Sequence, residues 1–320
     1  MTKPVLFLFA GQGSQCFHMA REIAENCPAV RDRLYDLDAV AREELGCSVL
    51  DIVFDPARGR FDPFDRLLYS NPALFMVQYA LADALIAQGA RPTALMGASL
   101  GEIVAMSVAG AMSAPDALRM VIAMSASFER DGAEGGLIAV LTDPGIVAER
   151  PDLFARVEIA GISSASHFIA AGPAEDLARI ESVLGAEGHA CMVMPVRFPF
   201  HSSYVEPART AMEAVFRGKG GQTLHLPLIS CVTATAMDRV PEGHLWRIVR
   251  EPMRIADAYR GLESRQASLF VDLSPSGTMA TVAKYNLGPD SASEAVSVMS
   301  LFGNEWAGYQ AVRQRLGIGV

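Results

Sequence analysis

Thr93-Ala94-Leu95-Met96-Gly97-Ala98-Ser99-Leu100-Gly101-Glu102 is a short apolar run that ends in Gly-x-Ser-x-Gly. A helical pattern follows at Ile103, Met106, Val108 and Ala109. Strand, serine between glycines, then helix: this order predicts a nucleophile elbow, which lifts a serine Oγ clear of the backbone. A side chain at Gly97 or Gly101 would crowd so tight a turn. The helix start behind Ser99 offers N–H groups, first that of Leu100, to an oxygen gaining negative charge. A pentapeptide of this kind also occurs in ordinary strand–helix turns. Its surroundings therefore decide the reading.

Upstream, Val5 to Ala10 is a continuous apolar run, as expected of a buried central strand. It enters Gly11-Gln12-Gly13-Ser14-Gln15, a polar glycine loop with neither the Gly-Lys-Ser/Thr of a Walker loop nor the dinucleotide Gly-x-Gly-x-x-Gly. Nucleotide binding is rejected on that ground. In open α/β sheets the ends of central strands meet, which would bring Gln12 beside the serine. Helices are expected at 28–45, 71–88, 100–109 and 115–130, with Asn71-Pro72 as a start signal and Ser113 as a cap.

At Gly135-Gly136 the pattern changes to short strands at 137–141, 157–162, 167–171 and 190–196. A weak helix near Ile146 and a clear one at 174–187 complete a β-α-β-β-α-β order, which predicts a ferredoxin-like insert. The insert is expected over 131–197, and the large α/β domain over 1–130 and 198–320. The second part of that domain should hold a helix from Val205, a strand at 228–232 and a helical stretch at 244–262. A strand at 268–273 and a last helix after Ser274-Pro275-Ser276-Gly277 should complete it.

The bulk numbers bound the function. The 320 residues are 51% hydrophobic and 20% charged, enough for a sizeable core. A net charge of −9 argues against a nucleic-acid binder, because phosphate contacts need clustered cations. Cys16, Cys27, Cys47, Cys191 and Cys231 have no CxxC spacing and read as reduced thiols, neither a metal site nor a disulfide frame. No apolar run is long enough to span a bilayer, and the N-terminal run stops at Gly11, too early for a signal peptide. A cytoplasmic protein, without membrane attachment, is expected.

A serine hydroxyl needs a positioned base to act as a nucleophile. Of the six histidines, His18, His225 and His244 lie in polar loop or helix-start contexts, His189 follows a helix end and His167 begins a strand. His201 differs: Phe198-Pro199-Phe200-His201 lies where the chain leaves the insert, an interdomain place where pockets form. Asp257 or Asp272 could complete a triad, but a Ser-His dyad whose imidazole is held by a main-chain carbonyl is equally permissible.

With these residues in view, the chain resembles the malonyl-CoA:acyl-carrier-protein acyltransferase family over essentially its whole length. The matching motifs are Gly11-Gln12-Gly13-Ser14-Gln15, Gly97-x-Ser99-Leu100-Gly101-Glu102, His201 after a proline–aromatic pair, and Pro275-x-Gly277. The resemblance implies an α/β-hydrolase-like domain with a ferredoxin-like insert. It makes Ser99 the acylated nucleophile and His201 its base, with the backbone N–H groups of Gln12 and Leu100 as oxyanion hole. It also implies a main-chain carbonyl near Ile248 orienting the histidine. No cofactor is implied beyond the phosphopantetheine of an acyl carrier protein, and a monomer is expected.

The departures from that family narrow the substrate. Ala98 stands where malonyl-using members have histidine, and ungapped counting puts Met124 where they carry the arginine that pairs with the malonyl carboxylate. No Arg or Lys occurs from Met120 to Glu129. Gly161 and Ser163 replace asparagines typical of the insert. The pattern looks like that of the free-standing acyl hydrolases of bacterial polyketide assembly lines, which clear stalled acyl chains from carrier proteins. Ala98, Met124, Phe198 and Phe200 would then form an apolar acyl pocket. Two rival readings are an acyltransferase that loads carrier proteins and a catalytically idle docking homologue. Arg239, Arg247, Arg250, Arg254, Arg260 and Arg265, interleaved with carboxylates, read first as a solvated mixed-charge face and second as a carrier-docking surface.

Overall fold

Val5–Phe9 is apolar at every position and forms β1, whose last four residues are buried. It pairs in parallel on both sides, which is why its sequence does not alternate. The computed structural model describes residues 3–319. After β1 come α1 (Arg21–Asn26), α2 (Pro28–Leu45), α3 (Val49–Val53), α4 (Leu67–Ala87), β2 (Ala94–Gly97), α5 (Leu100–Val108) and α6 (Ala114–Asp131). The middle of the chain gives β3 (Gly136–Leu141), α7 (Ile146–Glu149), β4 (Glu158–Ser164), β5 (His167–Gly172), α8 (Ala174–Ala186) and β6 (Ala190–Val193). A 3-10 turn at Ser203–Ala208 leads to α9 (Arg209–Phe216), β7 (Thr223–Ser230), β8 (Ala236–Arg239), α10 (His244–Arg250) and α11 (Ile255–Glu263). The chain ends in β9 (Leu269–Asp272), α12 (Thr278–Asn286), β10 (Glu294–Ser297) and α13 (Glu305–Arg315).

Two sheets result. The larger has the order β10-β9-β1-β2-β7-β8, parallel except for β8 at one edge. The smaller is antiparallel with the order β4-β5-β3-β6, and α7 and α8 fall between its strands in the expected β-α-β-β-α-β sequence. Met253 joins the two units: its N–H donates to Ala160 O at 2.8 Å, and its carbonyl accepts from Ile162 N–H at 2.9 Å. Gly161 lies opposite it, where a Cβ would come within 3.0 Å of Met253 Cβ. The absence of a side chain at 161 thus lets the crossing strand approach.

Several expectations needed correction. The helix expected from Asn71 starts at Leu67, and Pro72 lies inside it. Asn71 is no cap; it is buried, and its side chain serves the polar network described below. Helix α4 is mostly apolar and buried on nearly all sides, so burial outweighs the hydrogen bond that Pro72 removes. The helical stretch at 244–262 is two helices, broken at Glu251-Pro252, because a residue before proline is driven to extended backbone. The strand expected at 228–232 begins earlier, at Thr223. Strands β8 and β10 and helix α13 had not been anticipated. No helix among the described residues is long and apolar enough to cross a membrane.

Candidate active site

The strand-to-helix turn puts Ser99 between β2 and α5 with φ 54° and ψ −126°. Backbone of this kind costs about 1–3 kcal/mol at a non-glycine residue and survives only where its surroundings hold it. Here Ala98 N–H donates to Phe9 O at 3.0 Å, and Ser99 O accepts from Glu102 N–H at 2.9 Å. Helix α5 leans on β1 so closely that a Cβ on Gly101 would lie 2.2 Å from Phe9 O. The second glycine of the motif is therefore a contact requirement.

His201 approaches from the loop that follows β6. Its Nε2 lies 3.0 Å from Ser99 Oγ, and its Nδ1 donates to Glu251 O at 3.1 Å. Donation from Nδ1 leaves Nε2 as the bare acceptor facing the serine. His201 is 1% exposed, and burial pushes its pKa down to about 4, opposed in part by the Glu251 carbonyl. The imidazole is neutral at neutral pH.

The orienting carbonyl belongs to Glu251, a correction to the expected Ile248. Ile248 lies within α10, whereas Glu251 is the extended residue before Pro252, with ψ 148°. That extension turns its carbonyl out of the helix direction and toward the imidazole. The preceding turn assists, because His201 N–H donates to Val249 O at 2.9 Å. Neither carboxylate nominated for a triad faces His201. Asp257 pairs with Arg254 and Arg260, and Asp272 accepts from the N–H groups of Ser274 and Ala280, both at 2.8 Å.

The glycine loop closes the other side. Among the described residues, the N–H groups of Gln12 and Leu100 have no acceptor within the protein. They are free to receive an oxygen that gains charge beside Ser99. The Gln12 side chain donates to Ser70 Oγ at 3.0 Å and to Asn71 Oδ1, and Asn71 donates to Ser125 Oγ at 2.9 Å. This network behind the serine fixes the loop.

Two spaces adjoin Ser99. An outer cleft of about 300 Å³ runs between the two sheets, past Ala98, His201, Phe200, Met192, Met194 and Met253. An inner cavity of about 20 Å³ lies between Ser99, Met124, Phe200 and Ile248. Among the described residues, no Asp, Glu, Lys or Arg lines either one. Phe198 lines neither; it packs on Phe128 at 5.9 Å between ring centroids, one layer behind Phe200. Ala98, Met124 and Phe200 line the spaces beside the serine, and Ser163 joins the outer cleft.

The cations nearest Met124 in sequence are committed elsewhere: Arg119 pairs with Glu43 and Glu44, and Arg130 with Asp131. Four of the six arginines of the mixed-charge face are likewise paired: Arg247 with Glu251, Arg250 with Glu206, and Arg254 and Arg260 with Asp257. No local pattern marks Glu251 as the orienting group. Nor does any pattern reveal that His244, which does stand at a helix start, is fully buried against Glu102.

The sequence matches the acyl transferase domain family over residues 6–309. The chain belongs to the acyl transferase domain family. This acyl transferase domain is 36% identical over 316 residues to the polyketide biosynthesis acyltransferase homolog BaeD of Bacillus velezensis, covering 99% of this chain and 98% of that one. It is 33% identical over 305 residues to the polyketide biosynthesis acyltransferase homolog PksD of Bacillus subtilis, covering 95% and 94%. The loading acyltransferase of the avermectin modular polyketide synthase shares the fold, with a TM-score of 0.88 over 98% of this acyl transferase domain and 99% of that chain. At 24% identity that likeness speaks to the fold alone.

Proposed function

We propose that this acyl transferase domain is an acyl hydrolase that clears neutral acyl groups from the acyl carrier proteins of a polyketide synthase. One observation carries the reading: among the described residues, no Lys or Arg lines the cleft or the inner cavity beside Ser99. The inner cavity, with Met124 in its wall, has room for little more than one water. A malonyl carboxylate would lose its hydration there without gaining a partner, whereas a neutral chain meets an apolar wall.

The mechanism follows from the geometry. Ser99 Oγ attacks the thioester carbonyl while His201 Nε2, 3.0 Å away, takes its proton. The oxyanion is received by the N–H groups of Gln12 and Leu100. Collapse breaks the C–S bond, and His201 returns its proton to the departing phosphopantetheine thiol, which leaves Ser99 acylated. A water then attacks the ester with His201 again as base, and the carboxylic acid departs as Ser99 regains its hydrogen. Glu251 O holds the ring through both half-reactions and shares the imidazolium's charge. The residues need no cofactor or metal for these steps; phosphopantetheine arrives with the substrate.

A second reading has its own support. The relatives are named acyltransferase homologs, and a thiol could resolve the same acyl-enzyme in place of water. Intact-protein mass spectrometry after mixing with butyryl-loaded carrier protein and no acceptor separates the two. Rapid gain and loss of the adduct is the expected result. A persistent adduct makes the chain a transferase, and no adduct removes both readings in favour of an idle docking homologue.

A further inference from the structure

A buried histidine–carboxylate pair lies behind the serine–histidine pair. Glu102 is in the first turn of α5, three residues after Ser99, and its side chain is fully buried. Its Oε1 lies 2.6 Å from His244 Nε2, and its Oε2 accepts from Cys231 N–H at 3.2 Å. His244 is fully buried too, and its Nδ1 has no partner among the described residues. The ring therefore carries its hydrogen on Nε2 and donates it to the carboxylate. Nothing in the proposed chemistry uses either group, and both lie outside the cleft.

Their place in the connectivity gives them a task. His244 is the first residue of α10, and the far end of α10 supplies both backbone acceptors of His201, Val249 O and Glu251 O. Ser99 O accepts from Glu102 N–H at 2.9 Å, so Glu102 is fixed to the elbow itself. The contacts form a closed ring: Ser99 to Glu102, Glu102 to His244, along α10 to Glu251, then to His201 and back to Ser99. Helix α10 is only two turns long and touches the elbow helix through this pair at one end and holds His201 at the other. A shift at the His244 end is carried to the Glu251 carbonyl, since two turns of helix move as one piece.

We propose that Glu102 and His244 are positioning residues whose buried pair locks α10 to the nucleophile helix and so sets the Ser99–His201 distance. The proposal rests on the reading of Ser99 and His201 as the reacting pair. A carboxylate with two donors in a dry interior is satisfied, and removal of one donor leaves the buried oxygen unpaired. The local answer is a displacement of α10, and with it of the carbonyl that aims His201.

The test is the rate at which phenylmethanesulfonyl fluoride labels Ser99, followed by intact mass. In that reaction Ser99 Oγ bonds to sulfur, fluoride departs, and His201 takes the hydroxyl proton, so the rate reports serine–histidine coupling without a carrier protein. His244→Gln can bring an amide N–H to the place of Nε2, whereas the amide of His244→Asn stops short of Glu102. The Asn variant should lose about 10- to 100-fold in the limiting labelling rate with the reagent's KI unchanged, and the Gln variant should stay within about threefold of wild type. Thermal melts of each variant accompany the rates. If His244→Asn does not fold, Glu102→Met takes its place, because it keeps the side chain's length but leaves both N–H groups without a carboxylate, and it should bring the same loss of rate. Equal rates for Asn and Gln variants, or a loss confined to KI, overturn the proposal. A wild-type protein that does not label at Ser99 removes the Ser99–His201 reading, and this proposal with it.

Discussion

Gly11 faces Ser99 across a gap with no room for a methyl group. A Cβ on Gly11 would lie 2.8 Å from Ser99 Cβ, 3.0 Å from Ala98 O and 3.1 Å from Leu100 N. The glycine loop and the elbow are thus in direct backbone contact, with the residue before Gln12 packed against Leu100 N. Gly11→Ala should force the two apart. An overpacking cost of about 1–3 kcal/mol is expected in a denaturant melt. Acylation should fall by on the order of 10²-fold, because the displaced N–H groups no longer meet the oxyanion. Retention of full acylation in a folded Gly11→Ala protein would show that the loop plays no part in the site.

Ser99→Ala and His201→Ala remove the two reacting groups separately. The first should give no covalent adduct with an acyl-loaded carrier, because the attacking oxygen is gone. Its melting temperature should not fall, since φ 54° is no less strained with the hydroxyl present. The second should slow acylation and deacylation together by about 10²–10⁴-fold. Intact mass against time gives both rates. A His201 variant altered only in carrier affinity would assign the base elsewhere.

The acid limb of the rate profile follows from the burial of His201. Nε2 must be unprotonated to accept the serine hydrogen, and its pKa is pushed down to about 4, below the ordinary 6.5. Acylation should therefore stay level well below pH 6.5 and decline only as pH approaches 4. A bend near 6.5 in single-turnover rates would contradict a buried base.

The same displacement has a sign for stability. Between pH 6.5 and about 4 the unfolded chain binds a proton at His201 that the folded chain does not, so this group lowers stability as pH falls through that window. Asp272 acts in the opposite sense. Burial raises its pKa from 3.8 to about 6, so the folded chain keeps a proton there that the unfolded chain has lost. The Asp272 contribution is most favourable below 3.8 and is lost as pH rises through 6. His201→Gln leaves only the second. Its melting temperature relative to wild type should therefore rise as pH is lowered from about 7 to about 5, and paired melts that stay parallel would refute the assignment.

What was legible in the sequence divides along physical lines. Ser99 could be read because an elbow needs small residues at fixed spacing, and His201 because a proline–aromatic pair marks its loop. Helices α2 and α6 carried their own start signals, Pro28 and Ser113, and were found nearly to the residue. Strand β10 was missed because Glu294-Ala295-Val296-Ser297 is short and half-buried at a sheet edge, with no apolar run to signal it. Helix α4 was misjudged at its start because Asn71-Pro72 is locally a cap signal, and only tertiary burial decides otherwise. Glu251 was out of reach for a different reason. Its contribution is a carbonyl, which every residue has, and its aim depends on how α10 ends. His244 was hidden because a buried hydrogen-bond partner 142 residues away leaves no local trace.

The charge of the acyl group gives the most discriminating test. Met124 is 5% exposed in the wall of the small cavity beside Ser99, on the face of α6 opposite to the outward-paired Arg119 and Arg130. A carboxylate in that cavity would be desolvated at a cost of several kcal/mol with nothing to repay it. Neutral chains incur no such cost and can extend into the outer cleft along Met192 and Met194. Acetyl- and butyryl-loaded carrier protein should therefore be processed faster than malonyl-loaded carrier, by at least about tenfold for a difference of about 1.4 kcal/mol. Met124→Arg should narrow that gap by supplying a guanidinium to the carboxylate. It should also slow the neutral substrates, because a long charged side chain crowds a cavity of about 20 Å³. Side-by-side time courses with the three loaded carriers measure both effects. A wild-type preference for malonyl would mean that a cation reaches the site from outside these walls, and the hydrolase reading would yield to an ordinary malonyl transferase.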